Sequence, residues 1–161
     1  MKPHLTTLIR PWMLCLLGGI AMFAPPRASA QWGSPNDQRN ALNGLRTQLN
    51  FFQNATRTAS NYGEQGYGNM WGQFQSLRGT YSEFRRTLSP HQLERGGNAM
   101  AELDAGLDII QEAFTIYQND IAAGRNGNAA LRDMCQVLRE GTQVWAQELK
   151  RVCSQLRVGM G

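Results

Sequence analysis

Histidine and cysteine are the residue types in this chain that could carry nucleophilic or metal chemistry, and they are few. After Ala30 the only imidazole is that of His91, and the only thiols are those of Cys135 and Cys153. A Ser-His-Asp or Cys-His nucleophile needs a base that a third group holds in place. A di-iron site in a helical bundle needs Glu-x-x-His pairs, and the sequence has none. We therefore predict no enzyme activity, no cofactor and no metal site.

The aromatic residues Tyr62, Tyr67 and Trp71 are the most suggestive candidates for binding. Glycines at positions 63, 66, 68 and 72 are interleaved with them. Because tyrosine and tryptophan are favoured in protein interfaces, such a cluster around a hairpin can form the lip of a binding site. The alternative is that these rings close the end of a helical bundle. We take the three aromatic residues as candidate partner-binding residues.

Residues 1–30 have the three regions of a secretory signal peptide. Lys2 and Arg10 accompany an apolar run over 11–24, and Ala28-Ser29-Ala30 forms an A-x-A cleavage site. The run is shorter than the roughly 20 residues that a membrane-spanning helix needs, although a short membrane anchor is the alternative. We predict a bacterial type of signal peptide and a periplasmic or secreted location. The mature N-terminus should be Gln31, which the intact mass of the exported protein would check.

The basic character of the whole chain comes mostly from this leader. Three of its 16 lysines and arginines lie within 1–30 and none of its 12 acidic residues does, which leaves 13 basic and 12 acidic residues and a net charge of +1. Nucleic-acid binding requires a basic stripe on one face. The later arginines instead alternate with acids, as in Arg132-Asp133 and Arg139-Glu140. We therefore expect no nucleic-acid partner.

The remaining segment, residues 31–161, must position these side chains, and its apolar residues recur with helical spacing. In the last part they step by four and three residues, as the 3.6-residue turn requires; they are Leu131, Cys135, Leu138, Thr142, Trp145, Leu149, Val152 and Leu156. The same spacing predicts helices over 35–61, 69–87, 90–123 and 129–158. Because the connections are short, neighbouring helices should be antiparallel. We predict one all-α domain over 31–161, an antiparallel four-helix bundle with short connections and no transmembrane segment after processing.

Small residues mark a linker and two places of close approach. GEQGYG, residues 63–68, is predicted to link the first two helices. Rows of small residues spaced by seven should let helices approach closely, or mark a place where a partner docks. They are Ala99, Gly106 and Ala113 on the third helix and Gly72 and Gly79 on the second.

The stretch LSPHQL, residues 88–93, has the residue types of a helix start. With Ser89 as the N-cap, Pro90 falls at the first helical position, where its missing N–H costs nothing. Gln92 then completes an S-x-x-Q capping box, and Leu88 and Leu93 form the two halves of a hydrophobic staple. This assignment predicts that the third helix begins at Pro90.

Leu88, Ser89 and Gln92 also resemble the LTxxQ motif of periplasmic all-helical stress proteins, a family that includes chaperones and metal-resistance factors. Serine replaces threonine, and the match covers five residues of the 161. That family usually has two copies of the motif. The other cap, SPNDQ at 34–38, lacks the leading leucine and has its glutamine one place late. The resemblance implies a stress or chaperone-like factor, whereas helix capping alone accounts for the same residues.

Cys135 and Cys153 fall on one face of the predicted fourth helix. Their separation of 18 residues corresponds to about 27 Å along a helix, whereas a disulfide requires Cα atoms within about 7 Å. Each thiol is therefore either buried and reduced or bonded to another chain. An antiparallel pair of fourth helices would join Cys135 to Cys153 twice in a homodimer. An internal bond would require a break in the helix.

The sequence thus predicts an exported, non-catalytic helical protein that binds a protein or a cell-envelope partner, with a stress or chaperone-like role as its most specific form. The alternative is a ligand- or metal-binding helical bundle. Visible absorption and metal analysis of the pure protein would separate these two hypotheses.

Overall fold

The computed structural model of the protein describes residues 32–158, which form an all-α bundle, as predicted. The helices are α1 Pro35–Thr58, α2 Gly63–Thr87, α3 Pro90–Arg95, α4 Gly97–Ala122 and α5 Gly127–Leu156, with a 3-10 turn, Ala59–Asn61, between α1 and α2. The predicted signal peptide lies outside the described residues. Within 32–158, no helix has the length and apolarity needed to cross a bilayer.

Contacts between helix ends show that the long helices pair in antiparallel fashion. Gln38, near the start of α1, donates a hydrogen bond to the carbonyl of Thr87, the last residue of α2. Glu102, near the start of α4, forms an ion pair with Arg151, near the end of α5. The short connections leave adjacent helices no other arrangement in which their apolar faces meet.

The predicted apolar stripes form one core between the four long helices. Every stripe residue of the last predicted helix is buried, and so are those that the same spacing selects on α1 and α2. Among the largest fully buried side chains are Trp145, Phe52, Phe74, Phe84 and Phe114. On the third predicted helix, Leu93 is only partly buried and Ile121 is exposed. The core therefore narrows toward both ends of the third predicted helix.

The predicted linker over 63–68 was wrong, because α2 begins at Gly63. Glycine has a low helix propensity, and this suggested a loop. Packing overrides propensity here: a Cβ on Gly66 would lie 2.2 Å from the carbonyl oxygen of Ala59. Only a glycine allows α2 to start this close to the preceding turn.

The third predicted helix, 90–123, is divided at one residue. At Gly96 the backbone has φ −92° and ψ 4°, so α3 ends at Arg95 and α4 begins at Gly97. Two adjacent glycines are a common place for a helix to bend. The bend presses Gly96 against α5, where a Cβ would lie 3.0 Å from Leu156 Cδ2.

One of the two predicted small-residue rows does allow close approach. A Cβ on Gly106 would lie 2.8 Å from Trp145 Cδ1, so α4 and α5 touch at this level. On α2 the expected close approach was wrong, because a Cβ on Gly72 or Gly79 would meet nothing within 4 Å. That this row marks a place where a partner docks stays a prediction. Both of these glycines lie on the exposed side of α2.

Candidate binding surfaces

The predicted cap of α3 is confirmed and also joins two parts of the chain. The Ser89 hydroxyl accepts a hydrogen bond from the Gln92 N–H at 3.2 Å, and Gln92 Oε1 accepts one from the Ser89 N–H at 2.9 Å. Gln38 Nε2 donates to Gln92 Oε1 at 3.0 Å and to the Thr87 carbonyl at 2.9 Å. Leu88 is fully buried. All three residues of the LTxxQ resemblance therefore have structural partners.

The cap of α1 explains why its glutamine is one place late. Ser34 forms a capping box with Asp37 rather than with Gln38. Hydrogen bonds from Ser34 hold the pKa of Asp37 below its ordinary value. Because Asp37 closes the box, Gln38 is free to reach across to the α3 cap.

We expect Ser89→Ala to lower the free energy of unfolding by about 1 kcal/mol, because it leaves the Gln92 N–H without its acceptor. Chemical denaturation measures the change. Ser76→Ala is the control, since Ser76 lies exposed within α2 and donates only to the carbonyl of Gly72. Unchanged stability together with lost binding would contradict the capping role and favour the motif.

The three candidate aromatic residues do not form one surface. Tyr67 stacks on Tyr117 with ring centroids 4.8 Å apart and accepts a hydrogen bond from Gln118 Nε2 at 2.7 Å. Trp71 lies edge-on to Phe114 at 5.1 Å and remains 36% exposed. These two rings belong to the aromatic cluster that joins α2 to α4.

Tyr62 lies apart from that cluster. It precedes α2 as the N-cap residue and is 63% exposed. It takes part in no aromatic pair among the described residues. The structure thus places Tyr67 and Trp71 together and leaves Tyr62 as a separate exposed ring.

The two cysteines lie in the core of one continuous helix. α5 runs through Gly141 without interruption, so no internal disulfide joins Cys135 to Cys153. Both thiols are free and buried, and Cys135 Sγ lies 3.8 Å from Met70 Sδ. Burial raises the pKa of both thiols, which lowers the reactive thiolate fraction. A disulfide between two chains would require the participating sulfur atoms to leave the core. The predicted pairing of Cys135 with Cys153 of a second chain stays a prediction.

We expect the processed protein to have two free thiols that react slowly when folded and completely when denatured, because the bundle covers both sulfurs. Thiol counting by mass, with and without denaturant, measures this. Non-reducing electrophoresis is the companion measurement. A disulfide-linked dimer would show that the thiols pair between chains.

His91 is exposed in the first turn of α3. In the described part of the chain no group of three or more histidine, cysteine, aspartate or glutamate side chains could hold a metal ion. The nearest acid in sequence, Glu94, is also exposed and lies in the last turn of the same short helix.

An exposed aliphatic face, which the sequence analysis missed, lies along the groove between α4 and α5. Its members are about half exposed or more, with exposed fractions between 49% and 67%; they are Ile109, Ile116, Val137 and Val144. We call it the α4–α5 face. Ile116 and Val137 line one cavity of about 90 Å³. The contact of Ile110 with Gly141 sets the register of the two helices and places Ile109 within one helical turn of Val144.

The two halves of the α4–α5 face repeat each other. Each helix presents two branched residues seven apart, and seven residues are close to two helical turns. An exposed glutamate lies between the two in each case, Glu112 on α4 and Glu140 on α5. Each glutamate is three residues after one aliphatic side chain and four before the other, so all three share one side of the helix.

Ion-paired clusters bound the α4–α5 face at its ends. Arg125 pairs with Asp120 and Asp133 at one end. At the other end Arg151 pairs with Glu102 and Glu148. All of these side chains are at least partly exposed, so the pairs add little to stability. They do fix where charge lies along the groove.

Comparison of the chain with protein-family models, with curated proteins and with solved structures found no match.

Proposed function

We propose that the protein is an exported, non-catalytic helical protein that binds another polypeptide through the α4–α5 face. The observation that carries the proposal is the row of four exposed aliphatic side chains along one groove. Covering apolar surface contributes about 25 cal/mol per Å². Contiguous apolar patches bounded by polar residues mark interaction sites. The leader sequence over 1–30 supports a periplasmic or secreted location.

We further propose that the protein acts as a stress or chaperone-like factor. The support for it is the LTxxQ resemblance of Leu88, Ser89 and Gln92. The hydrogen bonds at the α3 cap hold these residues at the α1–α3 junction. We therefore expect the motif to maintain the fold while the α4–α5 face contacts the partner.

Site-specific photo-crosslinking in the cells that export the protein tests the binding role. A photoreactive residue at Val144 should give polypeptide adducts of discrete mass, because this side chain is the most exposed of the face. The control position is Arg132, which is exposed on the same helix but lies about 120° around the helix from Val144. Adding Ile109→Ser should reduce the adducts at Val144.

Equal crosslinking at Val144 and Arg132 would overturn the assignment to this face. A photoreactive residue at Tyr62 examines the aromatic end in the same experiment. Adducts at Tyr62 without adducts at Val144 would move the binding site to that end.

A further inference from the structure

The charged residues of α4, which forms one side of the α4–α5 face, are all negative. α4 carries five acidic residues and no lysine or arginine: Glu102, Asp104, Asp108, Glu112 and Asp120. Asp104 is directed to the other side of the bundle, where it pairs with Arg85. The remainder of the chain balances this bias, since the net charge after residue 30 is only +1.

At the face itself, six acidic side chains surround the aliphatic row and two arginines offset them, which gives a net charge of −4. The arginines are Arg125 and Arg151, and the acids are Glu102, Glu112, Asp120, Asp133, Glu140 and Glu148. Each arginine is shared by two acids of the end clusters. Glu112 and Glu140, beside the centre of the row, form no ion pair with any described residue. Uncompensated carboxylates beside an apolar groove favour a partner that carries positive charge beside its own apolar residues.

We propose that the occupant of the α4–α5 face is a basic amphipathic helical segment of another polypeptide, and this rests on the proposed function. Its apolar residues would lie between Ile109, Ile116, Val137 and Val144. Its lysines or arginines would meet Glu112 and Glu140. A helix lying in a groove presents residues at i, i+3, i+4 and i+7, which matches a row whose aliphatic residues are seven apart.

Charge also argues against two other occupants. A second copy of this chain would place one set of six carboxylates against another, and like charges across an interface oppose association. An anionic lipid surface repels the same face. A basic segment of about 18 residues, about 27 Å as a helix, would span the distance from Glu102 to Asp120.

Binding of synthetic helical peptides tests the inference. The probes are a fluorescent amphipathic peptide of leucine and lysine, the same peptide with glutamate for lysine, and the lysine peptide in scrambled order. Fluorescence anisotropy with the processed protein should show binding of the first, with affinity at least about tenfold weaker for the other two. Affinity for the first should fall as salt rises, because salt screens exposed charges.

Variants locate the peptide on the face. Glu112→Gln with Glu140→Gln should weaken binding of the lysine peptide about fivefold and flatten its salt dependence. Glu83→Gln, at an exposed position of α2 outside the face, is the charge control and should change nothing. Ile116→Ser with Val137→Ser should weaken binding about tenfold, whereas Phe51→Ser on α1, where the side chain is 51% exposed, should not. Circular dichroism confirms that each variant is folded.

The results that would contradict a basic helical partner differ from those that would contradict the proposed binding role. Equal affinity for the lysine and glutamate peptides, or binding that the face variants leave unchanged, would overturn the basic segment even if crosslinking at Val144 succeeds. A concentration-dependent dimer that Val144→Ser abolishes would assign the face to a second copy. Binding to anionic vesicles that Val144→Ser abolishes would assign it to lipid. Absence of adducts at Val144 would instead remove the proposed function.

Discussion

Replacing Trp145 with alanine is expected to lower the free energy of unfolding by about 4 kcal/mol, because the change removes the largest side chain of the core and leaves a cavity. The indole is 2% exposed and its Nε1 donates to the Leu103 carbonyl at 2.9 Å. It also lies edge-on to Tyr81 at 5.8 Å and covers Gly106. One side chain therefore holds α5 to both α2 and α4.

Urea denaturation followed by circular dichroism measures this loss, which is a large fraction of the 5–15 kcal/mol typical of a domain. Trp71→Ala is the matched control, since the same residue type is removed from a partly exposed position. Its cost should be less than half as large. Equal losses for the two variants would show that Trp145 is not the central packing residue.

Gly66→Ala is expected to destabilise the protein by about 3 kcal/mol, because the added methyl group cannot be accommodated without moving backbone. The clash is with the carbonyl oxygen of Ala59, at 2.2 Å, and no flexible side chain can move to relieve it. α2 would have to shift away from the preceding turn. Thermal and urea denaturation both measure the effect.

Gly72→Ala is the control for Gly66→Ala, and its expected effect has the opposite sign. A Cβ at Gly72 meets nothing within 4 Å, so alanine should stabilise the helix by about 0.5–1 kcal/mol. Destabilisation by both substitutions would mean that α2 packs differently from the structure described here. Stabilisation by both would mean that the start of α2 tolerates displacement.

Much of the fold was predictable because helix periodicity and capping are local properties. The stripe through Trp145 and Leu149 is buried as its spacing predicts, and Ser89 caps a helix because its neighbours supply the complete capping box. The start of α2 at Gly63 and the division at Gly96 were not predictable in this way. The first depends on how closely the preceding turn approaches Gly66, and the second on how closely α5 approaches Gly96. No local pattern encodes either distance.

The candidate site was less predictable than the fold. Tyr62, Tyr67 and Trp71 are close in sequence, but the rings of Tyr67 and Trp71 are held by partners on α4 that lie far away along the chain. Ile109 with Ile116, and Val137 with Val144, do show a spacing of seven in the sequence. That the two pairs form one face follows only from the pairing and register of α4 and α5.

The two thiols lie in different parts of one long helix, so their alkylation rates report separately on local opening of the bundle. Cys135 contacts Met70 of α2. Cys153 lies about five turns later in the same helix, and the positive charge of Arg46 on α1 acts to lower the pKa of its thiol. If the bundle opens only as a whole, both sulfurs must be alkylated at one common rate. If one end frays before the other, the rates must separate, since local opening needs less free energy than global unfolding. Time-resolved labelling with peptide mapping would therefore show which half of α5 releases first.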